Sequence, residues 1–444
     1  MISIDQLKKA LSDADPADLL HLAESHPYDM AECLKRLELS EQLALVGGIP
    51  PEQSAEVLEY LEPALQYRIL NRLDEPTTSK VLNEMSSDVV ADMMLAIHRY
   101  QGAKLLDLLP EDYRAKITTL MTFPEETAGS LATVDYIAAR SSWTAEQTLR
   151  HFRKIGREAE ITSYVYVTGA KGELLGVVSL KELILSDPHV EVSAFMTEGA
   201  VSVPASMGQE EAAELLSRYD LMALPVIDGQ NRLIGVVTVD DLIDVIHEEA
   251  TEDIQKLGGS QPLEDEYFKT SFFQLYKKRI IWLLVLFLAA AYTGTVLQYF
   301  EDTLSEAIAL SFFIPLLIGT AGNTGTQTVA TLVRALAVGE VRFRDIFKVI
   351  RKEVATGLLI GASISVVAYV RAYLLGVDSN VGLVVGVTAL TVVIWTSIVA
   401  AVLPLILHKL KADPAVISGP LITTLVDGTG LIIYFSIARI VLGL

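Results

Sequence analysis

Between Ile280 and Ala438 the chain holds five stretches that are almost free of charge. Residues 280–300 (21 residues), 307–333 (27), 354–370 (17) and 379–408 (30) contain no Asp, Glu, Lys or Arg, and 414–438 contains only Asp427. A bilayer core asks for about 20 apolar residues per helix, and backbone polar groups in hydrocarbon must be satisfied inside a helix or a closed barrel. The stretches predict five spans, near 280–300, 307–333, 354–375, 381–407 and 415–441. An odd number puts the two termini on opposite sides. Lys277, Lys278 and Arg279 precede the first span, Arg342, Arg344, Lys348, Arg351 and Lys352 fill the second-to-third loop, and Lys409 and Lys411 the fourth-to-fifth. The loops at 301–307 and 376–380 have no Lys or Arg, while Arg371 and Arg439, at the far ends of spans, can snorkel to the interface. The positive-inside bias predicts a multi-pass protein of the plasma membrane, with a cytoplasmic N-terminus and an outside C-terminus.

Charge separates the rest. Residues 1–270 carry 47 acidic and 22 basic residues, a net of −25, whereas 271–444 carry 9 and 13, a net of +4. An acidic soluble half repels phosphate, which excludes nucleic acid as a partner, and suits cations. The single cysteine, Cys33, allows no intrachain disulfide. The N-terminal twenty residues have no continuous apolar run, so no signal peptide is expected.

Within the soluble half, residues 1–122 show short amphipathic segments such as HPYDMAECLKRLE and PEQSAEVLEYLEP, with apolar residues three and four apart. They predict stacked helices forming a small superhelical domain. Residues 164–184 and 223–243 match without gaps at an offset of 59. Val167, Leu174, Gly176, Val177, Val178, Leu183 and Ile184 recur as Val226, Leu233, Gly235, Val236, Val237, Leu242 and Ile243. Such a repeat implies two strand–turn–strand–helix modules packed on each other. The pattern resembles paired cystathionine-β-synthase-type (CBS) domains, regulatory modules that often bind adenine nucleotides, which makes ATP a candidate ligand. Gly235, Thr238 and Asp241 form a G-x-x-[ST]-x-x-D motif that in such modules can hold a ribose. Thr238 capping the helix of Asp241 is the equally simple reading.

The connector that follows is strongly acidic. Asp240, Asp244, Glu248 and Glu252 are spaced by four, with Asp241, Glu249 and Asp253 in a second row, and only Lys256 answers them nearby. Like charges four apart on a helix repel. A charge run is usually a solvated face, but a row placed between a regulatory module and a membrane domain suits a divalent-cation sensor, since Mg²⁺ takes carboxylate oxygens and keeps several waters.

A charge at the bilayer centre costs about 2.5–3.5 kcal/mol on insertion scales. Asp427 therefore needs a reason. Thr423 stands one turn before it and Gly419 one turn earlier, Pro420 can free backbone carbonyls, and GTAGNTGTQTVATLV (319–333) clusters Asn323, Thr326 and Gln327 at membrane depth. Small residues permit close helix approach and polar ones can line a hydrated path. A neutral Asp427 bonded to a neighbouring helix is the plainer alternative.

The whole pattern resembles the MgtE family of magnesium channels. TAGS (127–130), RYDLMALPVID (218–228), TEDIQKLG (251–258), GNTGTQ (322–327) and DPAVISGPLITTLVDGTGLIIYF (413–435) are similar to its signatures. The resemblance implies a multidomain integral membrane protein: an all-α N-terminal superhelical domain (1–122), α/β tandem CBS domains (123–188 and 189–246), a long connecting helix (247–275) and a five-helix transmembrane domain (276–444). It implies a homodimer with a pore between the two membrane halves, and gating by cytosolic Mg²⁺. Carried over by motif, Asp427 is the pore carboxylate, with Thr423, Asn323 and Thr326 lining the path. Asp88, Asp92, Asp220, Asp241, Asp244, Glu249, Glu252 and Asp253 match metal-sensing acids. Gly419, Thr423 and Gly208 depart from the pattern. The implied function is import of Mg²⁺. The alternatives are a broader divalent-metal transporter coupled to protons, and a CBS-regulated membrane sensor without transport. No nucleophile–base constellation, P-loop or Cys/His cluster points to an enzyme.

Overall fold

The architecture, given by a computed structural model, is described for residues 4–13, 25–156, 159–263, 267–413 and 418–443. It divides into two compact units, Met1–Ile246 and His247–Leu444.

The first unit opens with short helices: α1 (Ile4–Asp13), α2 (Pro27–Leu34), α3 (Leu39–Gly48), α4 (Pro51–Glu59), α5 (Pro63–Leu70), α6 (Glu75–Glu84), α7 (Ser87–Ala96), α8 (Arg99–Leu106) and α9 (Glu111–Leu120). From α2 onward the helices begin at 27, 39, 51, 63, 75, 87, 99 and 111, a period of 12 residues. The sequence carries the same period, which no single amphipathic segment reveals. Cys33, Leu45, Val57, Ile69, Val81, Met93, Leu105 and Ile117 are all buried, as are Leu34, Val46, Leu58, Leu70, Leu82 and Met94 beside them. One buried polar position sets the pitch. Gln42, Ser54, Gln66 and Thr78, each the fourth residue of its helix, donate to the carbonyls of Leu34, Val46, Leu58 and Leu70 at 2.9–3.0 Å. Those carbonyls lie near the ends of the preceding helices, where intrahelical donors run out. The helices accordingly pack on the one two further along (α2 on α4, α3 on α5, α4 on α6, α5 on α7, α7 on α9), a superhelix rather than isolated pairs.

The repeated segment folds as two α/β copies. The first holds β1 (Tyr136–Arg140), α10 (Ala145–Ile155), β2 (Ile161–Thr168), β3 (Leu174–Ser179) and α11 (Leu180–Leu185), with the short β4 (Thr197–Glu198) closing a sheet of order β1-β2-β3-β4. The second holds β5 (Val203–Pro204), α12 (Gln209–Arg218), β6 (Ala223–Ile227), β7 (Leu233–Thr238) and α13 (Val239–Leu257), with sheet order β5-β6-β7. The offset of 59 survives in the register: Val167 pairs Gly176, and Val226 pairs Gly235. The copies meet around a local two-fold axis. Leu174 N donates to Asn231 O at 2.8 Å, and its counterpart Leu233 N donates to Gly172 O at 3.0 Å. Residues 127–134 join the superhelix to the second copy: Ala128 and Gly129 donate to Met207 and Ala205, and Thr133 exchanges both backbone bonds with Val236.

The acidic helix begins earlier and ends earlier than the expected connector at 247–275. It starts at Val239, inside the second copy, and stops at Leu257, because Gly258 and Gly259 follow and Gly259 takes φ +75°.

The second unit holds α14 (Phe272–Tyr299), α15 (Glu301–Glu306), α16 (Ile314–Ala337), α17 (Ile346–Leu374), α18 (Ser379–Lys409) and α19 (Gly419–Leu442). Among the described residues five helices are long and apolar enough to cross a membrane, and they overlie the five expected spans. Glycines let them approach closely: a Cβ on Gly357 would sit 2.8 Å from Ser397 Oγ, and one on Gly361 3.0 Å from Leu390. Arg439 bonds Thr303 Oγ1 at 2.9 Å and lies over the Phe300 ring, so its charge is held at the helix end. Pro420 frees no backbone carbonyl within the span, contrary to expectation. It lies in the first turn of α19, where its missing N–H costs no helical bond, and Ser418 caps that turn.

Candidate functional site

Two places gather the predicted residues. In the first unit, the N-terminal turn of α7 faces the second copy. Ser87 N donates to Asp135 Oδ2 at 3.1 Å, and Ser87 Oγ receives the N–H of Val134 at 2.8 Å. These bonds fix α7 so that Asp88 and Asp92, one turn apart, look toward Asp241 at the start of α13 and Glu160 before β2. Asp88 is 7% exposed, and its Oδ1 has no hydrogen-bond partner among the described residues.

The surroundings push protons onto this group. Burial first, then Glu160, Asp241 and Asp92, raise the Asp88 carboxyl well above the ordinary aspartate range. Burial, Asp241 and Glu125 hold Asp92 at about 6. Asp241 also lies at about 6, raised by burial, Asp240 and Asp244 against the lowering bond from Thr238. Glu160 reaches about 8, through burial and the charges of Asp241, Asp240 and Asp135. Desolvation and like charges both favour the neutral form, and each would be relieved by a bound cation. No three His, Cys, Asp or Glu side chains among the described residues already stand as a finished metal-ligand set.

The remaining sensor candidates are distributed along α13 and near it. Asp244 is exposed and adds to the field at Asp241. Asp220 is exposed in the turn after α12, with φ +51°. In the second unit, Glu249 is half-buried. Glu252 pairs with Lys256, and the Asp253 carboxyl is raised by burial and by Asp413. Sequence reasoning missed Glu160, Asp135 and Glu125. They lie in loops with no periodic signal, and only the tertiary fold brings Glu160 to Asp88, Asp135 to the adjoining Ser87 and Glu125 to Asp92. Thr238 donates to Asp241 Oδ2 at 2.6 Å, so the two residues of the ribose-type motif are bonded to each other. The equivalent Ser179 and Glu182 form a capping box.

The second place is the contact of α16 with α19. A Cβ on Gly322 would lie 2.9 Å from Thr423 Cγ2, one on Gly325 2.4 Å from Ile422 Cγ2, and one on Gly419 2.9 Å from Thr326 Cγ2. These positions are therefore restricted to glycine, and they bring Thr326 and Thr423 into one seam. Asp427 follows Thr423 by one turn. Its Oδ1 is buried without a hydrogen-bond partner among the described residues. Around it, Tyr292 of α14 donates to Leu425 O at 2.8 Å and occupies the space beside Gly428, and Trp395 donates to Thr429 at 3.1 Å. Asn323 and Gln327 are exposed on α16, and Thr326, whose methyl faces Gly419, is exposed beside them at the edge of the seam. A polar outward face on a span is costly against lipid.

Residues 314–437 match the MgtE family model, described as a divalent cation transporter. Residues 25–126 match the MgtE intracellular N domain, and 192–248 a CBS domain. The chain is similar to the magnesium transporter MgtE of Thermus thermophilus, at 38% identity over 98% of both chains. It is similar to that of Bacillus subtilis at 33%, over 94% of this chain and 92% of the relative. Among solved structures, the cytosolic domain of the Mg²⁺ channel MgtE in complex with ATP aligns at 36% identity and a TM-score of 0.51, covering 55% of this chain and all of that one. Similarity to an inosine-5'-monophosphate dehydrogenase of Bacillus subtilis reaches only 17% of this chain, so it transfers no enzyme activity. Near-complete coverage at this identity, with both soluble modules and the five spans in place, makes the chain a member of the MgtE family, a family of transporters rather than enzymes.

Proposed function

We propose that the protein is a Mg²⁺ channel or transporter that imports the ion across the plasma membrane, as a homodimer with its N-terminus in the cytoplasm. The buried oxygen of Asp427, without a hydrogen-bond partner among the described residues, carries this reading, on a helix that glycines press against α16. Asp427 from each of two subunits faces a shared path and attracts a hydrated Mg²⁺. Thr423, Asn323 and Thr326 supply neutral oxygens beside it. Mg²⁺ dehydrates reluctantly, so contact through retained water suits oxygens of this kind. Entry follows the membrane potential, worth about 2.3 kcal/mol per charge per 100 mV.

The acids of the soluble half are the sensor. At high cytosolic Mg²⁺, ions bound by Asp88, Asp92, Asp220, Asp241, Asp244, Glu249, Glu252 and Asp253 neutralise repulsion and favour a closed state. At low Mg²⁺ the repulsion returns and the path opens. Two states biased by differential ion affinity are sufficient for this. The similar cytosolic domain solved in complex with ATP supports ATP as a ligand of the paired modules. The test is Mg²⁺ uptake in a transport-deficient cell carrying Asp427→Ala. Uptake equal to the unmodified protein would refute the pore assignment, and uptake driven by a pH gradient would support a proton-coupled transporter instead.

A further inference from the structure

The end of the acidic helix is fastened to the start of α19 by contacts that lie wholly within the second unit. Lys256 is the only Lys or Arg between Arg232 and Lys269. Its Nζ bonds Asp413 Oδ2 at 2.7 Å and also pairs with Glu252 one turn back. Asp413 stands in the loop between α18 and α19, and α19 carries Asp427. Two more contacts reinforce the junction. Gly259 packs so closely that a Cβ there would meet the Trp282 indole at 3.0 Å and Pro420 at 3.4 Å, and Trp282 Nε1 donates to Ser418 Oγ, the cap of α19, at 3.2 Å. The backbone of Gln261 adds a bond to Lys278 O at 3.1 Å.

We propose that Lys256 is the coupling residue between sensor and path: its ammonium clasps Glu252 of the sensing helix and Asp413 of the loop before α19, so that displacement of the helix moves the pore helix by its N-terminal end. The Lys256 side chain is only 24% exposed, and a partly buried pair with a direct hydrogen bond is stronger than a surface ion pair. Lys256 acts through α19 and does not touch the ion. The inference rests on the gating reading above and adds the mechanical link that reading lacks.

The rival role for the same lysine is competition, in which its charge occupies carboxylates that a divalent ion would otherwise take. The two roles predict opposite signs. For a clasp, Lys256→Met and Asp413→Asn each raise the cytosolic Mg²⁺ needed to half-inhibit uptake by the full-length protein in vesicles, by about fivefold. Lys256→Arg stays near the unmodified value, and the exchanged pair Lys256→Asp with Asp413→Lys recovers most of the loss. A fall in half-inhibiting Mg²⁺ for Lys256→Met, or an exchanged pair no better than its single variants, overturns the proposal. Trypsin cleavage after Lys269, followed by mass spectrometry in Mg²⁺-free detergent, reads the clasp without transport. Both single variants should speed it severalfold, and unchanged cleavage counts against the clasp. If cleavage speeds up while uptake by the unmodified protein ignores internal Mg²⁺, the clasp stands and the gating reading falls.

Discussion

Asp88 and Asp427 each bury a carboxylate oxygen that no described residue of the protein satisfies, yet their surroundings are opposites. Asp88 stands among Asp92, Asp241 and Glu160, so its field is made of charges of its own sign. Asp427 stands among Thr423, Gly428, Tyr292 and Val426, with no other carboxylate in its span. A crowded carboxylate group gains much from a bound cation and changes shape when it loses one. A single carboxylate holds an ion less firmly and lets it leave. The first arrangement suits sensing and the second suits passage.

Breaking the single carboxylate should have the largest effect. Asp427→Ala is expected to reduce Mg²⁺ uptake to background in a transport-deficient strain, while the protein still reaches the membrane. Next comes the seam that supports it. Gly325→Val places a methyl where Ile422 already lies, and overpacking of this kind costs about 1–3 kcal/mol. A drop of several degrees in the unfolding temperature in detergent should accompany the loss of uptake. Thinning the crowded group should leave uptake at low Mg²⁺ intact. Asp241→Asn is expected to raise the half-inhibiting cytosolic Mg²⁺ by about tenfold, corresponding to about 1.4 kcal/mol.

The pH dependence of the crowded group has a fixed sign. Asp92 and Asp241 at about 6 and Glu160 at about 8 all lie above their unfolded values, so the folded state binds more protons than the unfolded one. Their contribution to stability is fully present below the unfolded values and is lost as pH rises through about 6 and then about 8. Melting temperatures measured without Mg²⁺ should fall across that window, and saturating Mg²⁺ should flatten the slope. A Mg²⁺-free profile that rises from pH 6 to 8 would contradict the crowding described here. The smallest effect is expected from Thr238→Ala, which removes the bond to Asp241 and should shift half-inhibition by about twofold, while Ser179→Ala in the exposed counterpart should leave it unchanged.

The sequence displays its membrane plan openly because hydrocarbon permits few alternatives. Charge-free length and loop charge are sufficient to find five helices, and a lone aspartate stands out against them. The duplicated modules are equally visible, since equal register demands equal spacing. The acid group around Asp88 is legible only in part. Asp88, Asp92 and Asp241 stand in motifs, whereas Glu160 and Asp135 reach the site through loops whose path depends on the two-fold meeting of the copies. The limits of the acidic helix are not legible in the charge spacing, which ends at Asp253, whereas the helix runs from Val239 to Leu257 and stops at Gly258 and Gly259.

The twelve-residue superhelix has a consequence for how this protein can change in length. From α3 to α6 each helix supplies one polar rung to the helix before it, through Gln42, Ser54, Gln66 and Thr78. Removing residues 51–62 would bring Gln66 eight places after Val46, the relation it now holds to Leu58. Removing eleven would put Gln66 nine places after Val46 and break the rung across the junction. Insertions and deletions here come in whole turns of the ladder, so the length of this arm is counted rather than continuous.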